Sequence, residues 1–342
     1  MIRLDQPFRA WGNIDNIFSG MPGGQWSMIG CISTEERCAG LARWFGTYGR
    51  IINQLLVEVA HRPPPTEERL VQQKIDANRD IFIQHGTNPN EIHHISVDAP
   101  FGEFERAIVQ YLDRVSAQNL VVDITSMPQK MLFFLMKLLR NGYRNIDNTV
   151  VVYAEPDEYD RNALVANHEP WDALPGFRLQ RDSTSDRKTV VAIGYDPMGL
   201  PEEVNSPEFN EGTTSFLFPF PAQPERVARN WRFIRQIFPN VESQRLDIKR
   251  VDGMNVPEIF DELCGLGGFG DVALTLAPFG PKPVSLAMAL YASKFSTGEC
   301  RTAVFYTHPL YKNPNYSIGL KIVDGVPRIN CYCVRLGRSN LY

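Results

Sequence analysis

Leu120-Val121-Val122-Asp123-Ile124-Thr125-Ser126-Met127-Pro128-Gln129-Lys130 runs from an apolar stretch through a short turn into an amphipathic segment, and its reading decides the fold. The unbroken apolar run predicts a strand over Leu120–Thr125, covered on both faces as in a parallel sheet. Pro128–Asn141 predicts a helix, because Leu132, Leu135, Met136 and Leu139 return every three or four positions. Placing Lys130 on Lys282 matches the stretch to Val272-Ala273-Leu274-Thr275-Leu276-Ala277-Pro278-Phe279-Gly280-Pro281-Lys282. In that register Leu132–Leu138 falls on Val284–Leu290, and a strand expected at Thr149–Ala154 falls on Arg301–Tyr306. One offset across strand, turn, helix and strand points to internal duplication.

Working outward, the first half predicts further strands at Trp26–Ile32, Gln54–Ala60 and Ile92–Asp98 and helices at Thr34–Phe45, Glu67–Ile83 and Phe101–Ala117. A polar connection follows from Glu155 to Lys188, including the run Arg181–Arg187. The alternation then restarts, with strands at Thr189–Tyr195, Ser243–Arg250, Val272–Leu276 and Thr302–Tyr306 and helices at Pro224–Phe238, Val256–Cys264 and Pro283–Phe295. This pattern predicts an α/β fold: two tandem Rossmann-like domains with mostly parallel sheets, residues 1–180 and 181–342. Ser317–Val323 and Arg328–Arg335 flank Asp324-Gly325-Val326-Pro327, which predicts a C-terminal β-hairpin. Tyr195–Gln223, rich in Pro, Gly, Asn and Glu, reads as a long loop. Its run Phe216-Leu217-Phe218-Pro219-Phe220 is either core or a docking element for a partner protein.

Composition narrows the function classes. With 43% hydrophobic residues in 342, the chain has material for a substantial core, which excludes a disordered polymer. Lys and Arg number 35 against 39 Asp and Glu, so nucleic-acid binding would need a local basic patch. The six cysteines show no Cys-x-x-Cys spacing, and neither a metal nor a cofactor is expected. Met1–Phe18 carries Arg3, Asp5, Arg9 and Asp15, so it lacks a signal-peptide core; together with the lack of any apolar run of about 18 residues, this predicts a cytoplasmic protein with no membrane partner. Walker, Gly-x-Ser-x-Gly and His-Glu-x-x-His patterns do not occur, and the Gly265–Gly270 run precedes a strand, the wrong order for a dinucleotide loop.

The residues with chemistry to offer gather at strand-to-helix junctions. Ser126 or Thr125 is expected to cap the helix after the fourth strand. Lys130 places a cation against the positive end of that helix, which is unfavourable unless an anion binds there. Lys282 repeats the device. After the first strand, Gly30-Cys31-Ile32-Ser33-Thr34-Glu35-Glu36-Arg37 offers Ser33 and the guanidinium of Arg37, either as capping and polar contacts or as phosphate ligands. After the last strand, Tyr306-Thr307-His308 opens a segment suited to stacking on a base, or to packing beneath the hairpin. His93 and His94 adjoin on one expected strand and so point to opposite faces.

The run Asp123-Ile124-Thr125-Ser126-Met127-Pro128-Gln129-Lys130-Met131, with the Gly30–Ser33 loop, resembles the loops of CRISPR-associated Rossmann-fold (CARF) sensor domains and their tandem SAVED relatives. Met127-Pro128-Gln129 departs from the small residues that precede the lysine in that family, and Pro278-Phe279-Gly280-Pro281 departs in the second half. The resemblance implies Ser126 and Lys130 as ligand contacts, Lys282 more distantly, and a role in antiviral defence. It leaves no room in the chain for a fused effector, so a separate effector subunit would act. Three readings follow: a sensor or adaptor holding a nucleotide-type phosphate ligand between two halves, a phosphodiester hydrolase using Lys130, Ser126 and Arg37, and a non-catalytic interaction subunit.

Overall fold

A computed structural model describes all residues except 1–6, 22–23, 49–50, 61–62, 97–98, 116–117, 144, 161, 163, 179–186, 204–213, 221–223, 240–245 and 298–300. The chain forms two compact units. Met1–Met131, Asn141–Ala166 and Leu310–Tyr342 make the first, and Leu132–Arg140 with Asn167–Pro309 make the second.

In the first unit, β1 (Trp26–Ile32), β2 (Ile51–Ala60), β3 (Ile92–Ser96), β4 (Asn119–Asp123) and β5 (Asn148–Ala154) are parallel and lie in the order β3-β2-β1-β4-β5. Every residue of β1 and β4 is buried, which is why their sequences are mostly apolar rather than alternating, with Ser27, Asn119 and Asp123 the polar members. Each such Val, Leu or Ile contributes roughly 1.5–3 kcal/mol by leaving water. The helices α1 (Gly40–Tyr48), α2 (Glu68–Gln84) and α3 (Phe101–Arg114) connect the first four strands, and α4 (Gln129–Gly142) joins β4 to β5, its first turn lying in this unit and Leu132–Arg140 clustering with the second. A sixth long strand, β11 (Ile329–Leu336), pairs antiparallel with β5, and the short strand Trp11–Asn13 pairs on its far side.

In the second unit, β6 (Arg187–Ala192), β7 (Thr214–Pro219), β8 (Asp247–Val251), β9 (Ala273–Pro278) and β10 (Ala303–Tyr306) repeat the order as β8-β7-β6-β9-β10, again all parallel. Here too an antiparallel strand, Asp172–Ala173, lies on the outer side of the fifth. Helices α5 (Pro224–Ile237), α6 (Val256–Leu266) and α7 (Lys282–Lys294) link them, and α7 is buried from Pro283 to Ser293, matching a sequence that is apolar or small all round. The second unit thus repeats the strand order of the first, with α7 following β9 as α4 follows β4.

The turns after β6 and β9 touch through backbone. A Cβ on Gly194 would stand 2.0 Å from the Phe279 carbonyl oxygen, and one on Gly280 would stand 3.1 Å from Ala192 Cβ. A carbonyl cannot swing aside as a side-chain tip can. Gly194→Ala is therefore expected to cost about 3 kcal/mol, the upper range for overpacking a dense interior, read as a lower urea midpoint at unchanged slope.

Several expectations are corrected. The Asp324-Gly325 turn forms, with both residues at positive φ, but it closes only Ile322–Val323 on Val326–Pro327. Beyond it β11 crosses to β5, so Leu310–Tyr342, expected with residues 181–342, clusters in the first unit. Phe216–Pro219 is no exposed docking element: it lies in β7, with Phe216 and Leu217 fully buried, and only Phe220 is exposed. The rest of that expected loop is partly outside the described residues, as is most of the run Arg181–Arg187. Among the described residues no helix is long and apolar enough to cross a membrane.

Candidate functional site

In an open sheet of this order the direction of winding reverses between β1 and β4, and their carboxyl ends border a crevice where ligands of such folds bind. The loops after these strands carry the residues singled out from the sequence, and the structure stitches them together. Ser126 Oγ donates to the Cys31 carbonyl at 2.9 Å, tying the β4 loop to β1. Thr125 Oγ1 accepts the Ala154 amide at 3.0 Å, tying the same loop to β5. Asp123 Oδ1 accepts the Thr125 amide at 2.9 Å. Pro128 is the N-cap residue of α4 and makes no side-chain cap, and the Thr125 and Ser126 hydroxyls bond Ala154 and Cys31 instead. Lateral bonds between strand ends have taken the hydroxyls that the sequence offered as caps.

The loop after β1 is organised by a buried ion pair. Ser33 Oγ accepts the Glu35 amide at 3.1 Å, and the Ser33 carbonyl accepts Asn78 Nδ2 at 2.8 Å. Arg37 Nη2 and Nε donate to Glu35 Oε2 at 2.7 and 3.0 Å, Nη1 donates to the Ala154 carbonyl at 2.7 Å, and Nε also meets Ser317 Oγ at 3.0 Å. Ser317 in turn donates to Glu35 Oε2 at 2.6 Å. Arg37, expected as the phosphate ligand, has its guanidinium filled by its own chain and is 3% exposed. It is a positioning residue that fixes the β1 loop against the end of β5.

Electrostatics separate the two carboxylates. Burial pushes Glu35 up, but Arg37, then Lys312 and the Ser317 hydroxyl, overcome it and hold Glu35 at about 2. Burial dominates at Asp123, only partly offset by its bonds to Thr125 and by Arg37, and pushes it up to about 6. Burial likewise pushes the Cys38 thiol up to about 12, which leaves it unreactive at neutral pH. A strongly shifted acid at the end of a central strand is a mark that functional sites share.

Lys130 is the second residue of α4 and only 7% exposed, with its ammonium 5.1 Å from the centre of the Phe104 ring. Lys282 is the first residue of α7 and half-buried, so the two lysines stand one position apart in helical register. In the second unit Tyr306 lies 5.3 Å from the Phe279 ring and 4.9 Å from the His308 ring, while the His308 carbonyl accepts the Glu169 amide at 2.8 Å. Burial, reinforced by Asp196, pushes the Tyr306 hydroxyl up. The structure thus brings Ser33, Arg37, Thr125, Ser126 and Lys130 to one end of the first sheet, and Tyr306 and His308 to one end of the second. Glu35 and Ser317 were missed. Glu35 was visible as an acid two residues before Arg37, whereas Ser317, far along the chain, had no local signal.

No protein-family model matches the chain, and no curated protein matches it. Among solved structures it is distantly similar to a Type III CRISPR defence DNA nuclease activated by cyclic oligoadenylate. The TM-score is 0.44 at 8% identity, over 79% of this chain and 64% of that one. A second likeness, to the bifunctional proline utilization A (PutA) protein, has a TM-score of 0.22 at 8% identity, over 74% of this chain and 23% of that one. The chain thus spans less than two thirds of the length of either, and the functional argument rests on its own residues.

Proposed function

We propose that the first unit binds a phosphate-bearing, nucleotide-type ligand outside the carboxyl ends of β1 and β4, and that the chain serves as a sensor or adaptor for a separate effector in antiviral defence. The observation that carries this reading is the hydrogen-bonded pair of loops at the point where winding reverses, with an ammonium set into the first turn of α4. Helix-start N–H groups and a lysine there converge on negative charge. The likeness of the Asp123–Met131 run to CARF loops narrows that anion to a nucleotide. Ser126 and Thr125 shape the loop, and Lys130 supplies the charge.

The test is calorimetry with ATP and with linear and cyclic oligoadenylates as probes. Lys130→Met, which keeps the apolar stem over Phe104, is expected to weaken binding about tenfold or more, some 1.4 kcal/mol, with little change in melting temperature. Lys282→Met is the parallel variant for the second unit. Equal affinity of Lys130→Met and the parent chain for a bound probe would refute the assignment. Mass spectrometry of that probe after incubation separates the readings, since an intact ligand fits a sensor and a cleaved one fits a phosphodiester hydrolase.

A further inference from the structure

At the opposite end of the first sheet, where β2 and β3 begin and α3 ends, lies a cavity of about 220 Å³ lined in part by Asn53, Glu91, His93, Tyr111 and Arg114. Its floor is rigid: Tyr111 is buried, and its hydroxyl lies 3.0 Å from the Met28 carbonyl and 3.1 Å from the Asn53 carbonyl. Its walls carry one charge of each sign. Arg114 donates through Nε to the Gln110 carbonyl of its own helix, and among the described residues no carboxylate pairs with it. Glu91 receives only a long bond, 3.4 Å, from the Gln54 amide, and among the described residues no cation pairs with it. His93 is held toward its neutral form by burial, then by Arg114 and His94, so it adds a hydrogen-bonding edge without a third charge.

A guanidinium and a carboxylate that leave each other unpaired in one small cavity are complementary to a molecule carrying both a carboxylate and an ammonium. Size points the same way, since about 300–1,000 Å³ is usual for drug-sized ligands and this cavity is smaller. We infer that the pocket binds a free α-amino acid, with its carboxylate on Arg114 and its ammonium on Glu91. The site is separate from the one proposed above, at the other end of the strands.

The test is calorimetry of the full chain against the proteinogenic L-amino acids, each at millimolar concentration, alongside their α-amides and the matching amines. At least one amino acid is expected to bind, and its α-amide and amine, each lacking one charge, to bind at least about tenfold more weakly. Arg114→Ala and Glu91→Gln are each expected to weaken that amino acid by a similar factor. Arg114 is exposed, so its replacement leaves the fold intact, which a melting curve checks. No binding by any amino acid overturns the inference, and so does binding that both variants leave unchanged or that the amide matches.

Discussion

Arg37→Ala is expected to lower the unfolding free energy at neutral pH by about 3–5 kcal/mol, the cost of leaving a buried charge without its partner. Glu35 is the charge left behind, with its side chain 3% exposed and the Ser317 hydroxyl still donating to it. Acid should shrink the deficit. In the parent chain the folded-state pKa of Glu35 is depressed, so its contribution is complete above the unfolded carboxylate pKa and is lost as pH falls from about 4.5 toward 2. Without Arg37, burial acts on Glu35 unopposed by its main partner and favours the neutral acid. The variant therefore recovers part of its deficit near pH 4, where the parent has lost little. Urea titrations of both proteins at pH 7 and pH 4 read the difference, and a deficit that is flat across that range would show that lost packing, not the ion pair, is responsible. The double variant Glu35→Leu/Arg37→Met, which removes both charges, should cost less than half as much as Arg37→Ala alone.

The contrast between Arg37 as read and Arg37 as found shows where sequence reasoning reaches. Strands such as Trp26–Ile32 and Asn119–Asp123 announce themselves, because burial on both faces leaves a largely apolar run such as Leu120-Val121-Val122 in place of alternation. The repeated strand order was legible too, although the offset that aligns Lys130 with Lys282 is one position away from their places in the two helices. What stayed hidden depends on partners distant in the chain. An arginine two residues from a glutamate looks the same whether it faces a ligand or folds back, and Ser317 and the Ala154 carbonyl decide the matter from far along the sequence. Likewise nothing local says that Ile329–Leu336 pairs with β5 instead of completing a hairpin with its neighbour. The β7 strand was lost for another reason. Its polar and proline-rich surroundings outweighed the apolar run itself, although Pro219, as the last residue of the strand, interrupts little of the ladder.

Asp123 offers the second large effect, and its sign is opposite to that of Glu35. The folded-state pKa, about 6, lies above the ordinary 3.8, so the folded chain holds a proton that the unfolded chain has already released between these values. Stability from this group is complete below pH 3.8 and is lost as pH rises through 6; the loss amounts to about 3 kcal/mol at 1.36 kcal/mol per tenfold. Asp123→Asn removes that dependence while keeping an oxygen to accept the Thr125 amide. Whatever fixed cost the new amide N–H groups bring is the same at every pH. Between pH 4 and 7.5 the parent should therefore lose about 2 kcal/mol relative to the variant in paired urea titrations, the rest of the loss falling below pH 4. Identical slopes would mean that the carboxylate is solvated or paired in the folded chain, contrary to a 3% exposed side chain whose bonds come from Thr125. This buried acid stands between β1 and β5 at the head of the loop that carries Lys130, at the end of the sheet where the ligand is proposed to bind.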